Sequence, residues 1–230
     1  MIRPSEPNTK AAMPQSPDKP PAPFEALRIA TLDELSARLA PRETIVCLGN
    51  GPSSEDRRLA GEDHASLFRV NWIWAERNWL DAPDLVFTGD PDFVRLTRQC
   101  IIVFPTREIG EPILEEYLAR GHLPDAGFAF LDHFTPSLAD LSGPRIPTNG
   151  ALMIALAAKL RPRRIVIAGI DLYRHPKGKY PGAPDEAEGY TSQHSAAIDL
   201  ALIGGALAGF DGTTEILSDN LREALADREV

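Results

Sequence analysis

Cysteine is scarce in this chain. Only Cys47 and Cys100 are present, both inside apolar runs that read as strands. A disulfide-stapled framework is therefore excluded, and buried free thiols in a reducing compartment are expected. Clusters of Lys and Arg are also missing. The chain has 33 acidic against 24 basic side chains, a net charge of −9, which argues against phosphate-backbone binding to nucleic acid. Long hydrophobic runs are absent too. The longest, Leu200 to Phe210, has 11 residues, against the roughly 20 that a membrane-spanning helix needs. The opening Met1-Ile2-Arg3-Pro4-Ser5 has no apolar segment, so a secretory signal is not expected. No Cys/His ligand spacing and no His-Glu-x-x-His occurs, which argues against zinc, and no Gly-x-Ser-x-Gly marks a hydrolase nucleophile. What remains, 43% hydrophobic and 25% charged residues over 230 positions, suits a cytoplasmic α/β enzyme or binding domain.

Proline is unevenly spread. Seven of the 21 prolines fall in the first 24 residues, which hold almost nothing able to form a core, so residues 1–24 are expected to be a disordered tail ahead of one α/β domain over 25–230. From there the pattern changes. Thr31-Leu32-Asp33-Glu34 is a capping box with Leu32, Leu35 and Leu39 at helical spacing. Near-continuous apolar runs predict strands at 44–48, 67–71, 84–88, 100–104, 127–131, 164–168 and 214–217. Helix-period segments fall at 112–118, 148–160, 195–208 and 219–226. Strands of this kind alternating with helices predict a doubly wound, mainly parallel, Rossmann-like sheet covered on both faces. Ligands then belong at the carboxyl ends of the strands.

Five loops at such ends carry chemistry. Gly49-Asn50-Gly51-Pro52-Ser53-Ser54 lets backbone approach a ligand, although it is neither the dinucleotide fingerprint nor a P-loop. Asn71 ends the next strand and offers both a donor and an acceptor. Asp90-Pro91-Asp92 is either a divalent-cation site or a turn in which Asp92 caps a helix, and the turn is the simpler account. Thr148 is a natural N-cap for the helix led by Asn149 and Gly150. Gly169-Ile170-Asp171-Leu172-Tyr173 follows the most hydrophobic strand. The polar stretch 174–193 that comes next is longer than a routine connection and reads as a mobile lid. At its end stands His194, the best single candidate for acid–base work, with Ser195 opening the next helix.

In their shared order these segments resemble the small bacterial sialyltransferases of glycosyltransferase family 42. The likeness rests on Ile45 to Ser53, Phe68 to Asn71, Thr148 to Gly150, Ile165 to Tyr173, His194-Ser195 followed by Asp199, and Glu215 to Asn220. The resemblance implies a metal-free, inverting transferase that moves a sugar from a CMP-activated nonulosonic acid to a glycan acceptor in polysaccharide biosynthesis. It assigns His194 as general base, with Tyr173 and Tyr180 on the departing phosphate. Asn50, Gly51 and Asn71 would contact the cytidine nucleotide, and Thr148 and Asn149 the sugar. Ser53, Gly150, Gly169, Ile170, Asp171 and Ser195 complete the expected binding set. The likeness also leaves room for a homo-oligomer and for peripheral contact with the inner face of a membrane.

The chain departs from that pattern in places. Arg145 is displaced by one residue from where the family carries an Arg before its Thr-Ser-Gly, and Asp90-Pro91-Asp92 stands for Asn-Pro-Ser. A Kdo-type or legionaminic-type donor is therefore an alternative. Residues 84–91 and 169–172 also look like the flagellin-modifying and pterin diphosphokinase-like proteins, which would place Mg²⁺ at Asp90 and Asp92. An inactive nucleotide-sugar-binding module is a third reading.

Overall fold

The computed structural model describes residues 23–39, 43–62, 64–96, 98–175 and 190–227. The expected Pro-rich tail lies outside them as far as residue 22, as do residues 176–189 of the expected lid, including Tyr180. Pro23–Leu27 forms a 3-10 turn leading into the first strand. Along the chain come β1 (Arg28–Ile29), α1 (Leu32–Arg38), β2 (Thr44–Leu48), β3 (Ser66–Val70), β4 (Leu85–Phe87) and β5 (Ile101–Phe104). Then follow α2 (Arg107–Ala119), β6 (Phe128–Phe130), α3 (Asn149–Lys159), β7 (Arg164–Ala168), α4 (Ala196–Ala208), β8 (Thr213–Ile216) and α5 (Asp219–Ala226).

The eight strands form one sheet in the order β1-β6-β5-β4-β3-β2-β7-β8, and every pairing is parallel. From β2 the chain steps outward through β3 to β6. It then returns along α3 to place β7 on the other flank of β2, in the register Thr44↔Arg164 to Leu48↔Ala168. The strand order therefore reverses between β2 and β7, and their carboxyl ends open the crevice where such sheets bind ligands. This is the Rossmann-like parallel architecture expected from the sequence.

Period-2 alternation within each strand sorts the core. Ile45, Cys47, Phe68, Val70, Ile165 and Ile167 face the helical layer of α3 and α4. Val46, Leu48, Val166 and Ala168 face the opposite side, where Leu67 of β3 extends the same surface and Leu59 packs against it. Nearer the β6 flank that side is closed by α2 and by the aromatic residues Trp74, Phe93, Phe104, Phe128 and Phe130. The thread from β2 to β5 runs through short 3-10 turns, in the part of the chain where no helix-period segment was read. α3 has nine buried residues, Gly150 to Ala158, because it is held between the sheet and α4. Each large aliphatic side chain buried there stabilises the fold by about 1.5–3 kcal/mol. Its fully apolar surface fits a helix covered all round. Cys47 and Cys100 are free and buried, and burial pushes the Cys100 thiol up to about 12.

Two differences from the sequence reading have local causes. α2 starts at Arg107, five residues before the expected start at Pro112. Thr106 caps Ile109 N at 3.2 Å and Asp132 accepts from Arg107 N at 3.0 Å, so two side chains fix the first turn and the proline is carried inside. β1 was not expected, since two residues leave no periodicity to read. It forms because Arg28 and Ile29 pair with Phe128 and Ala129.

Candidate active site

The pocket at the switch point has five walls. These are Gly49–Gly51 after β2, Val70 and Asn71 at the end of β3, Thr148–Gly150 at the start of α3, Gly169–Tyr173 after β7, and Tyr190, His194 and Asp199 leading into α4. The structure thus brings together Asn50, Gly51, Asn71, Thr148, Asn149, Gly150, Gly169, Ile170, Asp171, Tyr173 and His194, all expected from the sequence.

The β2 and β7 loops are locked to one another by backbone. Gly49 N donates to Ala168 O at 2.8 Å and Gly51 N to Gly169 O at 2.9 Å. Gly169 has φ +70, and a Cβ there would fall 2.5 Å from the carbonyl oxygen of Gly49, so only glycine fits. Ser53 does not face the pocket as a ligand group. Its hydroxyl accepts from Gly169 N at 2.7 Å and pairs with Ser218 Oγ at 2.7 Å, while Ser218 Oγ accepts from Ile170 N at 3.1 Å. Ser53 and Ser218 hold the β7 loop from behind. Ser195 caps α4 through Ile198 N at 3.3 Å and likewise does not line the pocket.

Beyond Gly169 the loop stays under strain. Leu172 and Tyr173 have φ of 51 and 56, and Asn71 across the pocket has 55. For Leu and Tyr this left-handed backbone costs on the order of 1–3 kcal/mol each, and such strain concentrates at functional sites. Here it turns the Tyr173 ring outward at the pocket mouth, edge-on to Tyr190 with ring centres 4.9 Å apart.

Two acceptors in the pocket receive no hydrogen from the described residues. Asn50 donates its amide N–H to Val70 O at 3.0 Å, which fixes the amide orientation and leaves Oδ1 buried without a partner. Asp171 is 4% exposed. Its Oδ2 accepts from Ser53 N at 2.9 Å, and its Oδ1 is buried and bare. A ligand that presents hydroxyl or amino hydrogens satisfies both, and an unsatisfied buried acceptor costs about 1–3 kcal/mol until it does.

On the opposite wall the side chains bond to one another. Asn149 Nδ2 donates to Asn71 Oδ1 at 3.0 Å, tying α3 to β3. Thr148 caps α3 through Ala151 N at 3.3 Å and donates its hydroxyl to Asp199 Oδ2 at 2.7 Å, so its one hydroxyl hydrogen is already used. Asp199 Oδ1 accepts from Thr148 N at 2.8 Å, and Oδ2 also accepts from Tyr190 OH at 3.2 Å. Burial pushes Asp199 above the usual carboxylate range, against the pull of its bonds to Thr148 and Tyr190 and of His194 nearby. Burial, then the charge of Asp199, pushes the Tyr190 phenol well above its ordinary value.

His194 Nδ1 lies 2.9 Å from the carbonyl oxygen of Ile146. A carbonyl can only accept, so Nδ1 carries the hydrogen, and in the neutral ring Nε2 then keeps its lone pair, the form a general base requires. Tyr190 and Asp199 also line this pocket; nothing in the sequence marks Tyr190, and Asp199 stands out there only within the segment that follows His194-Ser195. A signal for Asp199 was present, as it is the one charged residue in α4.

Asp90 and Asp92 are both engaged within the protein, and among the described residues no third carboxylate, His or Cys joins them in a ligand cluster. Asp90 caps the turn Pro91–Arg95 by accepting from Asp92 N at 2.9 Å, and also accepts from Trp72 Nε1 at 3.1 Å, while Asp92 pairs with Arg95 at 3.1 Å. The capping residue is Asp90, not Asp92 as expected, because the proline after it fills the first helical position.

No protein-family model and no curated protein sequence matches the chain. Solved structures do. The monofunctional α-2,3-sialyltransferase Cst-I from Campylobacter jejuni aligns with a TM-score of 0.55 and 17% identity over 78% of this chain and 77% of its own. The sialyltransferase CST-II, solved with CMP, aligns with a TM-score of 0.55 and 17% identity over 77% and 82%. CstII from Campylobacter jejuni with the substrate analogue CMP-3FNeuAc gives 0.50 and 18% over 78% and 82%. The chain has the fold of these bacterial sialyltransferases. No helix among the described residues is long and apolar enough to cross a membrane.

Proposed function

We propose that the chain is a CMP-sugar-dependent glycosyltransferase of the sialyltransferase type. It passes a nonulosonic-acid or Kdo-type sugar to a glycan hydroxyl, with inversion and without a metal. The observation that carries this reading is His194, whose Nδ1 hydrogen is held by Ile146 O so that Nε2 is free as a base in a pocket at the strand-order reversal. Solved neighbours of the same fold are described as sialyltransferases in complex with CMP or a CMP-sugar analogue.

In the reaction the acceptor oxygen attacks the anomeric carbon as Nε2 takes its proton, and the bond to the CMP phosphate breaks on the opposite face. The phosphate gains negative charge as it leaves. A fixed phenol at the pocket mouth, Tyr173, stabilises that charge most in the transition state. Tyr180, outside the described residues, is the second phenol in this reading. Asn50 Oδ1 and Asp171 Oδ1 receive hydrogens from the nucleoside, and Asn71 and Asn149 close the far side. A glycan acceptor made at the inner face of a membrane, as in polysaccharide assembly, fits a transferase that reaches its acceptor from the surface.

Calorimetric titration with CMP, in Mg²⁺ and in EDTA, is the direct test, followed by turnover of CMP-activated nonulosonic and Kdo donors. CMP binding that is equal in both conditions is expected. His194→Ala should lower turnover by about two to four orders of magnitude while CMP affinity stays within about threefold. Binding only of a nucleoside triphosphate with Mg²⁺ would overturn the reading.

A further inference from the structure

We infer that Asp199 is the positioning residue for His194, acting through the backbone strap Ile146-Pro147-Thr148; this rests on the transferase reading above. The strap lies against the segment that carries the base and is joined to it at both ends. At one end Ile146 N donates to Gln193 O at 3.0 Å and Ile146 O receives the Nδ1 hydrogen of His194 at 2.9 Å. At the other, Thr148 gives both its N–H and its hydroxyl to the Asp199 carboxylate, at 2.8 and 2.7 Å. Pro147 between them has no N–H and a fixed φ, so the strap moves as a piece and the oxygen that selects the histidine tautomer is placed by the grip on Thr148. The same carboxylate accepts from Tyr190 OH at 3.2 Å, which pins the start of the segment that ends in His194.

Asp199 itself is closed to substrate. It is 3% exposed, and each of its oxygens already accepts at least one hydrogen, three in all. A helix otherwise free of charge has no solvation reason to hold it. Its position is explained by what it holds. Asp199→Asn keeps the size and an acceptor for Thr148 N–H, but sets an N–H₂ against the Thr148 and Tyr190 hydroxyls, which must then accept instead of donate, so the charged grip on the strap becomes a set of weaker neutral bonds.

Two measurements test the inference. The first is ¹⁵N imidazole NMR of the full chain, with His194 assigned by comparison with His194→Ala. The wild type should show the Nδ1–H tautomer, and Asp199→Asn a mixture with Nε2–H. The second is turnover in a double-mutant cycle. Asp199→Asn should cost roughly 10- to 100-fold in turnover and less than about threefold in CMP affinity. On the His194→Ala background it should cost almost nothing further. An unchanged tautomer, or losses that multiply, would overturn the inference and leave Asp199 as a packing contact. A shifted tautomer in a protein that binds no CMP would keep the positioning role and reject the transferase reading. If Asp199→Asn does not fold, Thr148→Val removes the hydroxyl contact alone and is read in the same two ways.

Discussion

Two buried carboxylates face one another across the pocket. Asp171, on the β7 wall, is 4% exposed, and Asp199, on the α4 wall, is 3% exposed. Asp171 keeps one oxygen on Ser53 N and the other bare, whereas Asp199 has three donors spread over both oxygens. Depth does not separate them; the number of hydrogens pointing at them does. A bare acceptor in a cleft is completed by a ligand, and a filled one has become part of the frame. Among the described residues, the β7 wall is therefore the side left open to a ligand, and the α4 wall the side whose carboxylate is already engaged.

The comparison breaks first if the β7 wall is not rigid. Gly169→Ala puts a methyl group 2.5 Å from Gly49 O on a backbone with φ +70. Urea denaturation should show a loss of about 2–5 kcal/mol, the sum of left-handed strain and overpacking. A loss below about 1 kcal/mol would mean that the two loops can part.

Next, the two acids should behave differently when each becomes an amide. In Asp171→Asn the remaining oxygen can still receive Ser53 N–H, but an N–H₂ then faces the ligand where an acceptor stood. CMP affinity should fall about 10- to 100-fold while the melting temperature stays level or rises, because a buried charge has gone. Asp199→Asn should leave CMP affinity nearly unchanged. Equal losses of affinity in the two variants, by calorimetry, would erase the distinction between the walls.

A third buried charge sharpens it. Arg69 on β3 is fully buried, lies 5.4 Å over the Trp74 ring, and has Nε and Nη1 without hydrogen-bond partners among the described residues. Burial, reinforced by the charge of Arg77, pushes it down to about 9. A guanidinium does not shed its proton readily, so this reads as a cost of keeping the charge inside. Arg69→Met keeps the ring contact and removes that cost. It is expected to raise stability by about 1–3 kcal/mol. A loss of stability instead would show that Arg69 is held by partners the Met cannot replace.

How far the sequence carried this arrangement varies with how local each cause is. β2 and β7 were readable to the residue, since each is an unbroken apolar run ended by glycine. So was the placing of Asn50, Asn71 and Asp171, because strand ends at a reversal point toward one crevice. The start of α2 was not, as it depends on Asp132 arriving from 25 residues away. Tyr190 was hidden for the same reason. In sequence it is one polar-loop residue among twenty, and only the fold brings Asp199 to its hydroxyl. Ser53 looked like a ligand contact because it follows a glycine loop, yet its hydroxyl is spent on Gly169 and Ser218.

The smallest effect concerns the sign of the Asp199 contribution to folding. Burial raises its pKa in the folded chain above the ordinary value of 3.8 that it keeps when unfolded. As pH falls through that window the folded state takes up the proton first, so folding binds a proton and stability is gained. As pH rises again, that gain is lost. Asp199→Asn has no such group. In denaturation series taken from pH 7 toward pH 4, the wild type should therefore lose less stability than Asp199→Asn. The opposite sign would mean that the bonds from Thr148 and Tyr190 outweigh burial and hold the folded carboxylate below 3.8. Asp199 would then stabilise the fold as an anion, and the contrast with the bare oxygen of Asp171 would be wider still.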